Sequence, residues 1–409
     1  MKESALYVHI PFCDHKCIYC DFYSIITTDN ISSFLNSLKK EIKHYSSFYS
    51  DERIFTSIYF GGGTPSLMHP DYIREIISAL KESYAVSNDA EITLETNPGT
   101  VDSGKLKSFF EIGINRLSIG IQSFDEDDLK FLTRIHNKQT AIETVFNARE
   151  SGFENINIDL IFNLPGQTKK KWMYNLQTAL TLPIKHISAY SLILERGTIL
   201  NKMVLDGKVS IRDDDYDAEL YELTIDFLES NQFHQYEVSN FTVDGFECRH
   251  NKAYWNYKDY IGFGPSAHSF VSGKRLAIAK PMCSNLDIKE NGYVYPESDE
   301  RKINGAARWW NFSSLKKYIE EVERHNSAQA NYEILSTEEM LNEYVMLAIR
   351  SNGLSINDFK TRFGEEWIIR KYNYFRKLRG KNLLLMDDNS IRLTKTGYAL
   401  CDEILGNIL

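Results

Sequence analysis

Long apolar runs are missing from this chain of 409 residues, none approaching the roughly 20 that a membrane-spanning helix needs. An apolar signal segment is missing too: Met1-Lys2-Glu3-Ser4 leads straight into a strand-like stretch, so a cytoplasmic location is expected. There is no surplus of positive charge. The formal net charge of −9 argues against global attraction to nucleic acid or anionic lipid. Cysteine is scarce, and Cys248, Cys283 and Cys401 are too scattered for a disulfide framework. The other three cysteines crowd into one stretch, which is metal usage in a reducing compartment rather than cross-linking. No repeat at solenoid periods and no low-complexity tract interrupts the chain. What remains is ordinary globular composition, enough for one large domain and a smaller one.

The chain is organised around Tyr7 to Ser24, YVHIPFCDHKCIYCDFYS. Cys13, Cys17 and Cys20 directly follow an apolar run, with three residues between the first pair and two between the second. Soft thiolates select iron–sulfur clusters, zinc or copper(I) over hard cations. Three on one loop suit a cubane cluster whose fourth iron lacks a protein ligand. Zinc is the alternative, with His9, His15 or Asp21 supplying the fourth bond.

Downstream, strand patterns at 56–60, 91–96, 115–121, 155–161 and 186–193 alternate with helical ones at 31–48, 71–84, 103–111, 125–151, 169–181 and 213–230. With the strand before Cys13 this makes six, and a parallel α/β sheet is indicated. The second strand runs into Gly61-Gly62-Gly63-Thr64-Pro65, either a tight strand-to-helix turn or a place where a ligand lies against backbone N–H groups. Glu95 ends the third strand and points away from Ile92 and Leu94, where a carboxylate could hold an ammonium or salt-bridge a rim cation. In the fourth strand Ser118, Gly120 and Gln122 share a face small enough to leave room for a ligand. Asp159 repeats the pattern in the fifth.

From about 232 the alternation stops. Residues 236–270 are rich in aromatics and glycine, and 280–305 read as a polar surface loop with Pro281 and Pro296. The last hundred residues give helices at 313–325, 337–351 and 356–363, a hairpin at 383–393 and a closing helix from Thr396. This order resembles a winged-helix unit, but the acidic tip Asp387-Asp388 would repel phosphate, so no nucleic-acid partner is expected. The Asp213-Asp214-Asp215 run suits a helix N-terminus.

The C-x3-C-x2-C loop at the end of a first strand resembles the cluster loop of radical S-adenosylmethionine (SAM) proteins. YVHIPFC and YCDFYS resemble the branch that holds oxygen-independent coproporphyrinogen III oxidase and the HemW-type heme chaperones, and the likeness covers nearly the whole chain. It implies a radical SAM partial (β/α)6 barrel over 1–235, a connecting segment over 236–305 and a winged-helix-like α+β domain over 306–409. It implies a [4Fe-4S] cluster on Cys13, Cys17 and Cys20 and SAM contacts at Tyr7, Gly62 and Glu95. Tyr19, Gly63, Thr64, Gln122, Arg134 and Asp159 fall on positions that contact a second SAM in the oxidase.

Two features point within the branch. The oxidase carries a further cysteine two residues past the triplet, where this chain has Phe22. Cys248-Arg249-His250-Asn251 followed by Tyr254-Trp255 resembles the His-Asn-x-x-Tyr-Trp motif of the chaperones. That likeness implies His250 as a heme ligand, with Cys248 a lesser candidate and His268 a further polar group nearby. The expectation is a heme chaperone that delivers heme to acceptor hemoproteins of the membrane-associated respiratory kind. It is able to cleave SAM, assigns no catalytic residue, and leaves room for a homodimer. Oxidation of coproporphyrinogen III to protoporphyrinogen IX is the alternative.

Overall fold

The computed structural model describes residues 1–279 and 300–409. Most of the loop expected at 280–305, with Cys283, lies outside the described residues. Six parallel strands form the framework: β1 (Lys2–Ile10), β2 (Arg53–Gly62), β3 (Val86–Thr96), β4 (Arg116–Gln122), β5 (Asn155–Phe162) and β6 (His186–Ser191). Each is followed by a helix or loop that returns to the next, the alternation read from the sequence. The strands carry β-branched and aromatic residues on the layer under the helices, where Val8, Ile58, Leu94, Ile119, Ile158 and Ile187 are buried. Helix Ile31–Tyr49 packs there through Phe34, Leu38, Ile42 and Tyr45, spaced for one helical face. Asp213 accepts a hydrogen bond from the Tyr216 N–H at 2.9 Å, so the acidic run caps helix Asp214–Ser230.

The sheet continues beyond these six strands. At one end, β7 (His234–Glu237) and β8 (Asn240–Thr242) form a hairpin whose second strand pairs antiparallel with β6. At the other, β9 (Asp259–Phe263) lies parallel to β1, and β10 (His268–Ala279), β11 (Glu300–Asn311) and β12 (Gln329–Leu335) follow antiparallel. Among the described residues the order is β12-β11-β10-β9-β1-β2-β3-β4-β5-β6-β8-β7, an open, partial barrel. The segment read as a connector therefore adds strands to both ends of the sheet. The large sheet runs to Leu335, past the boundary expected at 305, because β11 and β12 complete the ladder that β10 would otherwise leave open. We place the start of the small C-terminal unit at Ser336. There β13 (Leu354–Ser355), β14 (Leu384–Met386) and β15 (Ser390–Leu393) form a small sheet under helices that share the buried residues Val345, Phe359, Phe375 and Ile404. Helix Glu366–Gly380, absent from the sequence reading, supplies Trp367, Ile368, Phe375 and Leu378 to this core. Among the described residues no helix is long and apolar enough to cross a membrane.

One buried carboxylate ties the added arm to the barrel. Glu41, 0% exposed, accepts from the Gly264 N–H (2.9 Å), the Tyr318 hydroxyl (2.7 Å) and the Asn311 amide (2.6 Å). Burial pushes its carboxyl up to about 7, while these three donors pull the other way. Glu41→Ala strands the Gly264 N–H and the Tyr318 hydroxyl and leaves the Asn311 amide only its bond to the Gly264 carbonyl (2.8 Å), and the urea midpoint is expected to report a loss of at least about 2 kcal/mol.

Candidate functional site

Register brings the reactive ends of the strands to one level. Ile10 lies beside Gly62, Glu95 beside Ser118, Gly120 beside Asp159, and Asp159 beside Ser188. These ends and the cysteine loop enclose a cavity of about 430 Å³. Cys13, Cys17, Cys20, Tyr19, Gly62, Gly63, Thr64, Glu95, Gln122, Arg134 and Asp159 all line it. Two expected residues do not. Tyr7 lines a neighbouring cavity, because on β1 its side chain shares a face with His9, to whose Nδ1 its hydroxyl bonds at 3.1 Å. His250 lies in the wall between the two.

The cysteine loop is pinned from several sides. Cys13 N–H donates to the Ile25 carbonyl (3.0 Å), Leu200 N–H to that of Ile18 (2.9 Å), and Ile18 N–H to Thr133 Oγ1 (3.3 Å). Lys16 Nζ donates to the Phe22 carbonyl. Cys13 Sγ lies 3.3 Å from Thr64 Oγ1, and Arg134 Nη1 lies 3.7 Å from Cys17 Sγ. Burial pushes the Cys20 thiol up, with Lys16 opposing, so a metal must displace its proton. Of the residues considered as a fourth zinc ligand, His9 is 5% exposed with both ring nitrogens engaged, by Tyr7 and by the Tyr23 carbonyl. His15 bonds Thr133. Among the described residues no three His, Cys, Asp or Glu side chains converge as a single ion requires. A cubane asks less of the loop, since each thiolate binds a different iron corner. The donor set fits the cluster.

The glycine run fits a ligand as well. Gly62 adopts φ +114°, and a Cβ there would sit 2.7 Å from the His9 ring. A Cβ on Gly63 would meet the Phe12 carbonyl oxygen at 2.5 Å, where only backbone could yield. Gly63→Ala is therefore expected to displace the cysteine loop, costing about 1–3 kcal/mol in urea unfolding and lowering iron retention. Glu95 Oε1 accepts from the Tyr59 hydroxyl (2.8 Å) and Oε2 from the Gly62 N–H (3.2 Å). Burial pushes the Glu95 carboxyl up to about 7. Burial likewise raises Asp159, held by Asn157 Nδ2 at 2.8 Å.

Asn97, which the sequence reading passed over, links the parts. Its amide donates to Thr64 Oγ1 (2.9 Å) while its carbonyl receives Arg134 Nη2 (2.7 Å). Arg134 also donates to the Gly120 carbonyl at 2.6 Å, and its Nε is buried without a hydrogen-bond partner, with Tyr19 beside the guanidinium. A ligand oxygen would satisfy it. Arg116 and Tyr59 line the wall beside Glu95, again unmarked by spacing.

His250, expected as a heme ligand, is 2% exposed and stacked on Tyr59 with ring centroids 4.9 Å apart. Its Nδ1 bonds Ser57 (3.1 Å), its Nε2 bonds the Tyr254 hydroxyl (3.1 Å), and burial pushes it down to about 3. Neither nitrogen is free for iron. Its motif straddles the wall, with Asn251 on the large cavity and Tyr254 on the neighbouring one. Cys248, wholly buried against Glu91, is no better placed.

A partial barrel with three cysteines on the loop after its first strand and a glycine turn after its second is the arrangement of a radical SAM protein, and residues 7–178 match the Radical SAM superfamily. The chain is 32% identical to the heme chaperone HemW of Bacillus subtilis, across 99% of both chains. It is 30% identical to that of Lactococcus lactis, over 100% of this chain and 98% of the relative. A mitochondrial radical SAM domain-containing protein 1 from Danio rerio is 34% identical over 100% of this chain and 87% of its own. This chain belongs to the HemW family of the radical SAM superfamily. Its fold is shared with the coproporphyrinogen III oxidase HemN of Escherichia coli, with a TM-score of 0.77 at 21% identity, covering 100% of this chain and 90% of that one.

Proposed function

We propose that this protein binds heme and passes it to acceptor hemoproteins, respiratory enzymes of the membrane among them. One observation carries the choice within the superfamily. Phe22 stands where the oxidase branch has a further cysteine, is 63% exposed, and lines both cavities. An exposed ring at that mouth suits an apolar planar ligand and offers no thiol.

Cys13, Cys17 and Cys20 would hold a [4Fe-4S] cluster. When bound, the cluster supplies an electron that can cleave the sulfonium of SAM. The chain's own groups do the rest. Glu95, ionised, holds a cationic amino group beside the Gly62 N–H, and Tyr59 fixes the carboxylate's orientation. Arg134, braced by Asn97 and Gly120, offers its free Nε–H to an anionic or hydroxyl oxygen. Gln122, Asp159 and Tyr19 offer further polar contacts, Gly63 and Thr64 a close backbone approach, and Tyr7 supports Gly61 from behind. Clustered free thiols favour a reducing compartment, and we place the protein in the cytoplasm, with room for a homodimer.

The test is transfer. Heme-loaded protein, mixed with a heme-depleted respiratory membrane enzyme, should restore that enzyme's activity faster than heme released to apomyoglobin, an indiscriminate scavenger, can account for. Restoration no faster than that release would overturn the delivery step.

A further inference from the structure

We propose that heme docks in the neighbouring cavity with His268, not His250, as its axial ligand. The inference rests on the heme-binding reading above and adds where on the chain the porphyrin sits. That cavity, about 420 Å³ and open to solvent, falls within the roughly 300–1,000 Å³ of small-molecule sites. Aromatic rings wall it: Tyr7, Phe22, Tyr23, Tyr254 and Tyr260. Such faces suit a flat apolar macrocycle, and the open side leaves its propionates in water.

Of the two imidazoles that line this cavity, only one is available. His9 has both nitrogens engaged, as described above. His268 is exposed, and among the described residues no hydrogen bond reaches its ring. The ring is nevertheless held: it stacks on Trp310, with centroids 5.8 Å apart and planes at 22°. Its position at the first residue of β10 is fixed by the turn before it. Gly264 N–H is gripped by Glu41, Ser266 adopts φ +65°, and Ser266 N–H donates to the Phe312 carbonyl at 3.1 Å. A neutral imidazole held this way can donate a nitrogen lone pair to iron with no change in oxidation state. Tyr254, held by His250 Nε2, forms part of the same cavity's wall. His250 is on this account a positioning residue that sets an aromatic face of the site.

The experiment is an anaerobic hemin titration of the full, cluster-loaded chain, followed in the Soret region for the wild type, His268→Ala, His268→Met and His250→Ala. The wild type should saturate near stoichiometry. His268→Ala should bind at least about tenfold more weakly, since even loss of an outer-sphere partner costs roughly 10–100-fold at a metal site. His268→Met should bind with a displaced Soret band, because a thioether then replaces the imidazole. Cluster absorbance and SAM affinity of both His268 variants should match the wild type, which separates a lost ligand from a lost fold. Wild-type affinity and band in both His268 variants would overturn the assignment while leaving heme binding standing. So would loss of the wild-type band in His250→Ala alone. A wild type that takes up no hemin would overturn the heme reading itself, and this inference with it.

Discussion

Cys17→Ser protein, reconstituted anaerobically with iron and sulfide, is expected to stay colourless where the wild type turns brown and absorbs broadly near ~400 nm. The expectation rests on counting. Among the described residues these three thiolates are the only cysteine ligands near the loop, Cys248 and Cys401 being buried elsewhere, so each loss removes a third of that set. Cys17 has a particular place among them, since its sulfur lies 3.7 Å from Arg134 Nη1. Serine keeps the volume but gives a hard, protonated oxygen that binds iron poorly. Iron content per chain is the readout. A variant that keeps one zinc and no iron, like a wild type that does so, would mean that the loop is a zinc site.

Glu95→Gln is expected to lose SAM affinity by about 2–5 kcal/mol while the ligand-free protein gains relative stability at alkaline pH. The two effects have one cause. Burial raises the Glu95 carboxyl from 4.5 to about 7, the Tyr59 and Gly62 hydrogen bonds only partly offsetting it. A carboxyl that is more basic in the folded state contributes stability that is complete below about 4.5 and lost as the pH rises through 7. Above that, the ligand-free protein carries an unpaired buried charge, which a cationic ligand would neutralise. Glutamine carries none, and the Tyr59 hydroxyl can turn to accept from its amide. Urea unfolding between about pH 5 and 8 should therefore fall less steeply for the variant, by about 2–3 kcal/mol at most. Equal slopes, with SAM binding intact by calorimetry, would remove Glu95 from the site.

Much of this site was legible because its signals are local. A cysteine triplet and a glycine run name themselves, and Glu95 was found by the period of two that turns it away from Ile92 and Leu94. What the sequence hid depends on contacts between distant segments. Asn97 matters only because Thr64 and Arg134 fold up to it from either side. The strands of 259–335 escaped because, among the described residues, no helix separates β9, β10 and β11, so the strand–helix alternation that marks the parallel strands is absent there. Tyr7 was assigned by position along a motif, but the pleat decides which cavity a strand residue faces. His250 shows the same limit in another form: an imidazole among aromatics reads alike whether it waits for iron or braces a neighbour. Only the partners of its two nitrogens, Ser57 and Tyr254, tell the cases apart.

The most direct test of the central claim is a pigment analysis. Reconstituted full-length protein is incubated anaerobically with SAM, reductant, hemin and coproporphyrinogen III, then desalted, and the tetrapyrroles of both fractions are separated by chromatography. The account predicts hemin close to stoichiometric in the protein fraction and coproporphyrinogen III recovered unchanged. Protoporphyrinogen IX, with a protein fraction free of hemin, would contradict it and make this chain a porphyrinogen-oxidising enzyme.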